Sequence, residues 1–188
     1  MNIVIIGMKH CGKSTHGNAL AEHLKCQFCD TDDMLTELYR EQTGKRMSPR
    51  DIFRDEGESF FRNLEVEVVK RLAAEGSEGD NNRVIALGGG LPANDAVTPW
   101  LEKLGFFVYL KVSPEIIFKR IMARGLPPFL DPARPCESFN ELYKQREQYY
   151  LRHAGLVVEI DHEMSLKTAN KLIIDRIEEA LNERQHIR

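Results

Sequence analysis

Near the start of the chain, Gly7-Met8-Lys9-His10-Cys11-Gly12-Lys13-Ser14-Thr15 fits the pattern GxxxxGK[ST] in full. Glycines at these places let a backbone curl until several N–H groups point inward at one anion. A helix that starts just after them adds the positive end of its dipole. A lysine at the place of Lys13 reaches the β- and γ-phosphates of a nucleotide, and a hydroxyl at Ser14 holds Mg²⁺. These residues predict a phosphate-binding loop. They leave the reaction open, because switches, motors and metabolite kinases all carry such a loop.

Three further groups bear on the acceptor. Asp30 and Asp32 are two apart, a spacing that puts both carboxylates on one face of an extended segment. One carboxylate can hold a metal's water shell, and the other can accept from a substrate hydroxyl and take its proton. Asp32 or Asp33 also reads as a helix N-cap before Met34, and the two roles are compatible. Arg62 follows an apolar Phe61 and stands three residues before Glu65, so on a helix the two side chains are neighbours. A guanidinium fixed in this way can bind a carboxylate through paired hydrogen bonds. A solvent-exposed ion pair of little consequence is the alternative. Gly88-Gly89-Gly90 costs entropy and packs nothing, so close approach of a ligand to the backbone is the expected compensation.

Short apolar runs alternate with long amphipathic stretches, and these must position such residues. Strands are expected at Ile3 to Ile6, Gln27 to Cys29, Val84 to Leu87, Phe106 to Leu110 and Leu156 to Ile160. Helices are expected over Thr15 to Lys25, Met34 to Gln42, from Pro49, over Glu58 to Ala74, Pro114 to Arg124 and Phe139 to His153, and from Leu166. The polar stretch Glu75 to Asn82 reads as a surface loop, and the four prolines of Gly125 to Pro135 exclude a helix there. The alternation predicts a three-layer α/β/α domain with a mainly parallel five-stranded sheet, whose ligands bind beyond the carboxyl ends of the strands.

A chain of 188 residues suits one domain. The formal charge of -3 gives no general basic field for nucleic acid or an anionic membrane. No apolar run approaches a membrane span, and Met1 to Ile6 lacks the features of a signal peptide. A cytoplasmic monomer acting on a small molecule is expected. Cys26 and Cys29 have the spacing of half a zinc site, but no second pair completes it, so they read as small apolar residues. Cys11, in its glycine-bounded loop, reads as a candidate reactive thiol.

The ordered set resembles the shikimate kinases, P-loop metabolite kinases of the nucleoside-monophosphate-kinase-like superfamily. The resembling residues are Gly7 to Thr15, Asp30-Thr31-Asp32, Ile52-Phe53, Gly57-Glu58, Phe61-Arg62, Glu65, Gly88-Gly89-Gly90 and Arg146. The resemblance implies transfer of the γ-phosphoryl group of ATP to a hydroxyl of shikimate, with Mg²⁺. It implies that Gly7, Lys9, Cys11, Gly12, Lys13, Ser14, Thr15 and Arg120 bind the nucleotide, with Arg120 on adenine. Ser14 and Asp30 would serve the metal, and Lys13 and Asp32 the chemistry. Asp32, Arg62, Gly88, Gly89, Gly90 and Arg146 would hold the substrate, the two arginines on its carboxylate, with Glu65 orienting Arg62. A substrate-binding helical segment would span about 33–62 and a lid about 123–136.

One place departs from the family. Its lid carries an arginine directly before Pro-Leu-Leu, whereas Pro127 stands at that place in Pro127-Pro128-Phe129-Leu130. A lid arginine stabilises charge on the phosphoryl group in transfer, which proline cannot do. Three readings follow: Arg124 or Arg134 supplies the charge, with Arg124 favoured as the better anchored; the chain phosphorylates a related hydroxylated acid; or it binds nucleotide without turnover.

Overall fold

The computed structural model describes residues 1–75, 82–127 and 130–186. Five strands form one all-parallel sheet: β1 (Ile3–Ile6), β2 (Gln27–Asp30), β3 (Arg83–Ala86), β4 (Phe106–Val112) and β5 (Leu156–Ile160). Their order is β2-β3-β1-β4-β5. The β-branched β1 is central and buried along its whole length, as a strand covered on both faces requires. Its register, Ile5 opposite Ala86 and Ile6 opposite Tyr109, brings the loops after β1, β2 and β3 to one edge. That edge is the carboxyl end of the sheet, where an open α/β fold binds ligands.

The helices are α1 (Lys13–Leu24), α2 (Thr31–Thr43), α3 (Pro49–Glu56), α4 (Glu58–Glu75), α5 (Thr98–Leu101), α6 (Pro114–Arg124), α7 (Pro135–His153) and α8 (Leu166–His186). Two short 3₁₀ turns, Leu91–Ala93 and Asp95–Val97, precede α5; neither they nor α5 were expected. Helix α3 starts on a Ser48 cap that accepts from the Asp51 amide, with Pro49 in its first turn. Helices α2, α3 and α4 lock together where Tyr39 Oη donates to Glu56 and Phe53 meets Phe61 edge-on.

Several boundaries differ from expectation by a few residues, two of them because of how a helix starts. Helix α2 begins at Thr31 and not at Met34, because the Asp30 side chain is the cap and accepts from the Asp32 amide at 2.9 Å. Asp32 is therefore in the first helical turn, and the extended pair of carboxylates on one strand face does not form. Helix α7 begins at Pro135 and not at Phe139, since proline is well suited to a first helical turn. The loop expected over Glu75 to Asn82 lies largely outside the described residues, as do Pro128 and Phe129. No helix among the described residues is long and apolar enough to cross a membrane.

Candidate active site

The loop between β1 and α1 curls as its glycines predict. Gly7 and Gly12 have φ of 147° and 101°, and Gly12 caps α1 without any side-chain partner. The first amides of α1 are thus left to a ligand. Lys13 Nζ donates to Gly7 O at 2.9 Å and Met8 O at 3.0 Å, which folds the ammonium back over the loop. Ser14 Oγ donates to Asp30 Oδ2 at 2.5 Å. Asp30 thus faces the hydroxyl with one oxygen and caps α2 with the other.

Lys9, Cys11, Gly12, Lys13, Ser14, Thr15, Asp30, Asp32, Gly89, Arg120 and Arg124 line one open cleft of about 510 Å³. Its far end is apolar, from Val112, Ile160, Met164 and Ala169, and can take a flat base. The expectation of a reactive Cys11 is overturned. Its side chain is fully buried beneath the loop, against Gly7, so no reagent reaches the thiol. Cys26 and Cys29 are half-buried, and burial pushes both thiols up.

The glycine run joins the parts of the site. A β-carbon on Gly88 would lie 2.7 Å from Asp32 Oδ1; one on Gly89, 2.9 Å from the Lys9 amide nitrogen; one on Gly90, 3.3 Å from guanidinium nitrogens of both Arg62 and Arg146. Three successive residues therefore face the carboxylate, the phosphate loop and the arginine pair in turn. Any side chain would push one of them away. The run does not offer all its amides to a ligand, because Gly88 N–H donates to Thr31 Oγ1 at 2.8 Å. Gly89 is fixed from behind by Tyr150 Oη, which donates to its carbonyl.

Arg62 makes more than a surface ion pair: its Nη2 reaches exposed Glu58 Oε1 at 3.3 Å, but its other contacts run inward. Its Nη1 donates to Glu65 Oε2 at 2.9 Å, and the Glu65 side chain is only 5% exposed. Asn94 Nδ2 donates to the same Oε2 at 3.1 Å and to Arg62 O at 3.2 Å. Burial pushes the Glu65 carboxyl up while Arg62 draws it down. Burial also raises Asp32, helped by the negative charge of Asp30 and opposed by Lys13 and Lys9. A carboxyl held above its usual range is a better proton acceptor when ionised.

The two candidate lid arginines are placed differently. Arg124 lines the cleft, with Nη1 3.4 Å from His10 Nδ1. Arg134 is 61% exposed and is engaged by Asp131 and Glu137. Pro127 is buried.

Residues 9–178 match the family model for shikimate kinase. The chain belongs to the shikimate kinase family. It is 36% identical over 173 residues to a shikimate kinase of Clostridium botulinum, with 89% of this chain and 92% of that one covered. A relative of the same name from Symbiobacterium thermophilum is 35% identical over 181 residues, covering 95% and 97%. The solved shikimate kinase from Acinetobacter baumannii, in complex with shikimate, superposes with a TM-score of 0.78 at 28% identity, over 95% of this chain and 93% of that one.

Sequence reasoning about this shikimate kinase family member missed His10, His16, Asn94 and Tyr150. His16 Nδ1 meets Asn170 Oδ1 at 2.6 Å, and its ring fills the space that a side chain at Gly12 would take. Asn94 carried a signal, since Asn before Asp-Ala is a cap pattern, and its Oδ1 does accept from the Ala96 amide. Tyr150 stands four residues after Arg146, hence on the same helix face. His10 occupies a place where the loop pattern admits any residue, so nothing local marked it.

Proposed function

We propose that this chain transfers the γ-phosphoryl group of ATP to a hydroxyl of shikimate. The observation that carries the reading is the triple apposition of Gly88, Gly89 and Gly90 to Asp32, the phosphate loop and the Arg62–Arg146 pair. It sets a proton acceptor and a carboxylate clamp on either side of a backbone that touches the nucleotide's loop. A small acid with a ring hydroxyl fits such a site, and a nucleoside acceptor would leave the arginines without an anion.

Placement and family resemblance together support the following roles. Lys13 leaves its loop carbonyls to meet charge on the transferring phosphate. The donor set also fits Mg²⁺, a hard cation that takes oxygen ligands, because a hydroxyl and a carboxylate face each other beside the loop. Ser14 and Asp30 would hold that ion, which when bound neutralises phosphate charge. Asp32 accepts the proton of the attacking hydroxyl. Arg62, oriented by Glu65 and Asn94, and Arg146, set against Tyr150, grip the carboxylate. The amides of Gly89 and Gly90 and the carboxylate of Asp32 orient the ring. Arg120 and the apolar end of the cleft take the base, and Arg124 supplies the lid's charge. Residues of about 33–62 and 123–136 act as substrate-binding segment and lid of a single domain. The charge balance and four free thiols fit a cytoplasmic protein that acts without nucleic acid, and we take it to be a monomer.

A coupled assay of ADP release against a panel of hydroxylated acids tests the reading. Release that depends on shikimate supports it. Equal release with any hydroxy acid, or none with shikimate, overturns it. Buried Pro127, at the place of the family's arginine, favours the second reading, a kinase for a related hydroxylated acid, which the same panel would expose.

A further inference from the structure

His10 departs from what a phosphate loop needs for its phosphates. Its φ is 69°, a left-handed conformation that costs a residue with a β-carbon energy. Its carbonyl accepts from Arg120 Nη1 at 3.1 Å, and its ring Nδ1 faces Arg124 Nη1 at 3.4 Å. One residue of the phosphate loop thus holds, by two different atoms, both arginines that α6 directs at the cleft. Acceptance from a guanidinium requires a neutral imidazole with its proton on Nε2. The surroundings provide this. Burial and the neighbouring cations Lys9, Arg124, Lys13 and Arg120 hold the ring down to about 4.

Arg124 ends its helix and is exposed. A long side chain in that position loses much rotamer freedom on being fixed. Pro127 cannot supply a charge, and Arg134 is turned to Asp131 and Glu137. An aimed Arg124 then needs a seat, and the ring of His10 is where its guanidinium rests.

We infer that His10 is a positioning residue for the reaction: the left-handed turn of the phosphate loop aims its ring to seat Arg124 beside the transferring phosphate. The inference rests on the proposed role of Arg124. It means that the loop holding the nucleotide also sets the lid's cation, in place of an arginine at the lid tip.

His10→Gly is the direct test. Glycine takes the left-handed turn without penalty and keeps the carbonyl for Arg120, while the ring is lost. The melting temperature should be unchanged or higher. The kcat should fall by about tenfold or more, the scale of a misplaced catalytic group, with the KM for shikimate unchanged. His10→Asn tolerates the turn and offers an acceptor oxygen, so it should stay within about threefold of the parent. In an Arg124→Ala background, His10→Gly should have no further effect. Full kcat in His10→Gly overturns the inference, as does an undiminished loss in the Arg124→Ala background. A large loss in Arg124→Ala with a silent His10→Gly sinks the seating role and leaves the role of Arg124 standing. A silent Arg124→Ala sinks both.

Discussion

Asp32 Oδ1 lies so close over Gly88 that a single β-carbon there would stand 2.7 Å from it. The carboxylate is half-buried, has Asp30 beside it, and keeps its position only because Gly88 has no side chain. Gly88→Ala should therefore lower kcat by displacing Asp32, with little change in the KM for ATP. Steady-state kinetics on both substrates checks this. Unchanged kcat would mean that the exact seat of Asp32 does not matter.

Asp32→Asn should reduce kcat by about 10²-fold or more, at the lower end of what general bases contribute. Stability should hold or rise, because the amide removes a buried charge that burial and Asp30 both disfavour. A variant with normal kcat and a lower melting temperature would make Asp32 structural only.

Lys13→Ala should reduce kcat by far more than the tenfold that corresponds to roughly 1.4 kcal/mol. The ammonium rests on Gly7 and Met8 carbonyls and can follow phosphate charge from there. Turnover within tenfold of the parent would count against the assignment of the loop.

Arg62→Ala and Arg146→Ala should each raise the KM for shikimate strongly and leave that for ATP nearly unchanged. Asn94→Ala should do so more weakly, and should cost about 1–3 kcal/mol of stability by leaving buried Glu65 with one donor fewer. Parallel rises in both KM values would contradict the carboxylate clamp.

Arg124→Ala should lower kcat by about 10²-fold, the scale of removing one transition-state donor, with Arg134→Ala much milder. Full activity in the double variant would show that the reaction runs without either guanidinium.

Stability should carry a signature of His10. The unfolded chain takes up this proton near the ordinary value of 6.5, and the folded chain resists to about 4. The contribution is fully present above pH 6.5 and is lost as pH falls towards 4. Lys9, Lys13, Arg120 and Arg124 are the charges that hold the ring neutral. The advantage of His10→Gly in melting temperature should be constant above pH 6.5 and should grow below it. Parallel curves for parent and variant would mean that the ring is not depressed.

The sequence alone determined the phosphate loop, because its donors lie in one unbroken segment whose glycines and following helix dictate the curl. It also determined the parallel α/β architecture, because buried strands and amphipathic helices differ in period, and β5 and α6 have the very bounds that their patterns predict. The acceptor residues were legible as a set only through family resemblance. Their mutual placement was not legible, since Asp32, Gly90, Arg62 and Arg146 come from separate elements. They meet because the parallel sheet aligns the ends of β1, β2 and β3, while α4 packs on α2 and α7 packs on β4 and on the 3₁₀ turn after the glycine run. Tertiary structure also decided which carboxylate caps α2, which arginine faces the cleft and that Cys11 is buried. Each depends on how a side chain is buried or partnered by residues distant in the chain, and His10, unmarked by any local pattern, gains its partners only when α6 packs beside the loop.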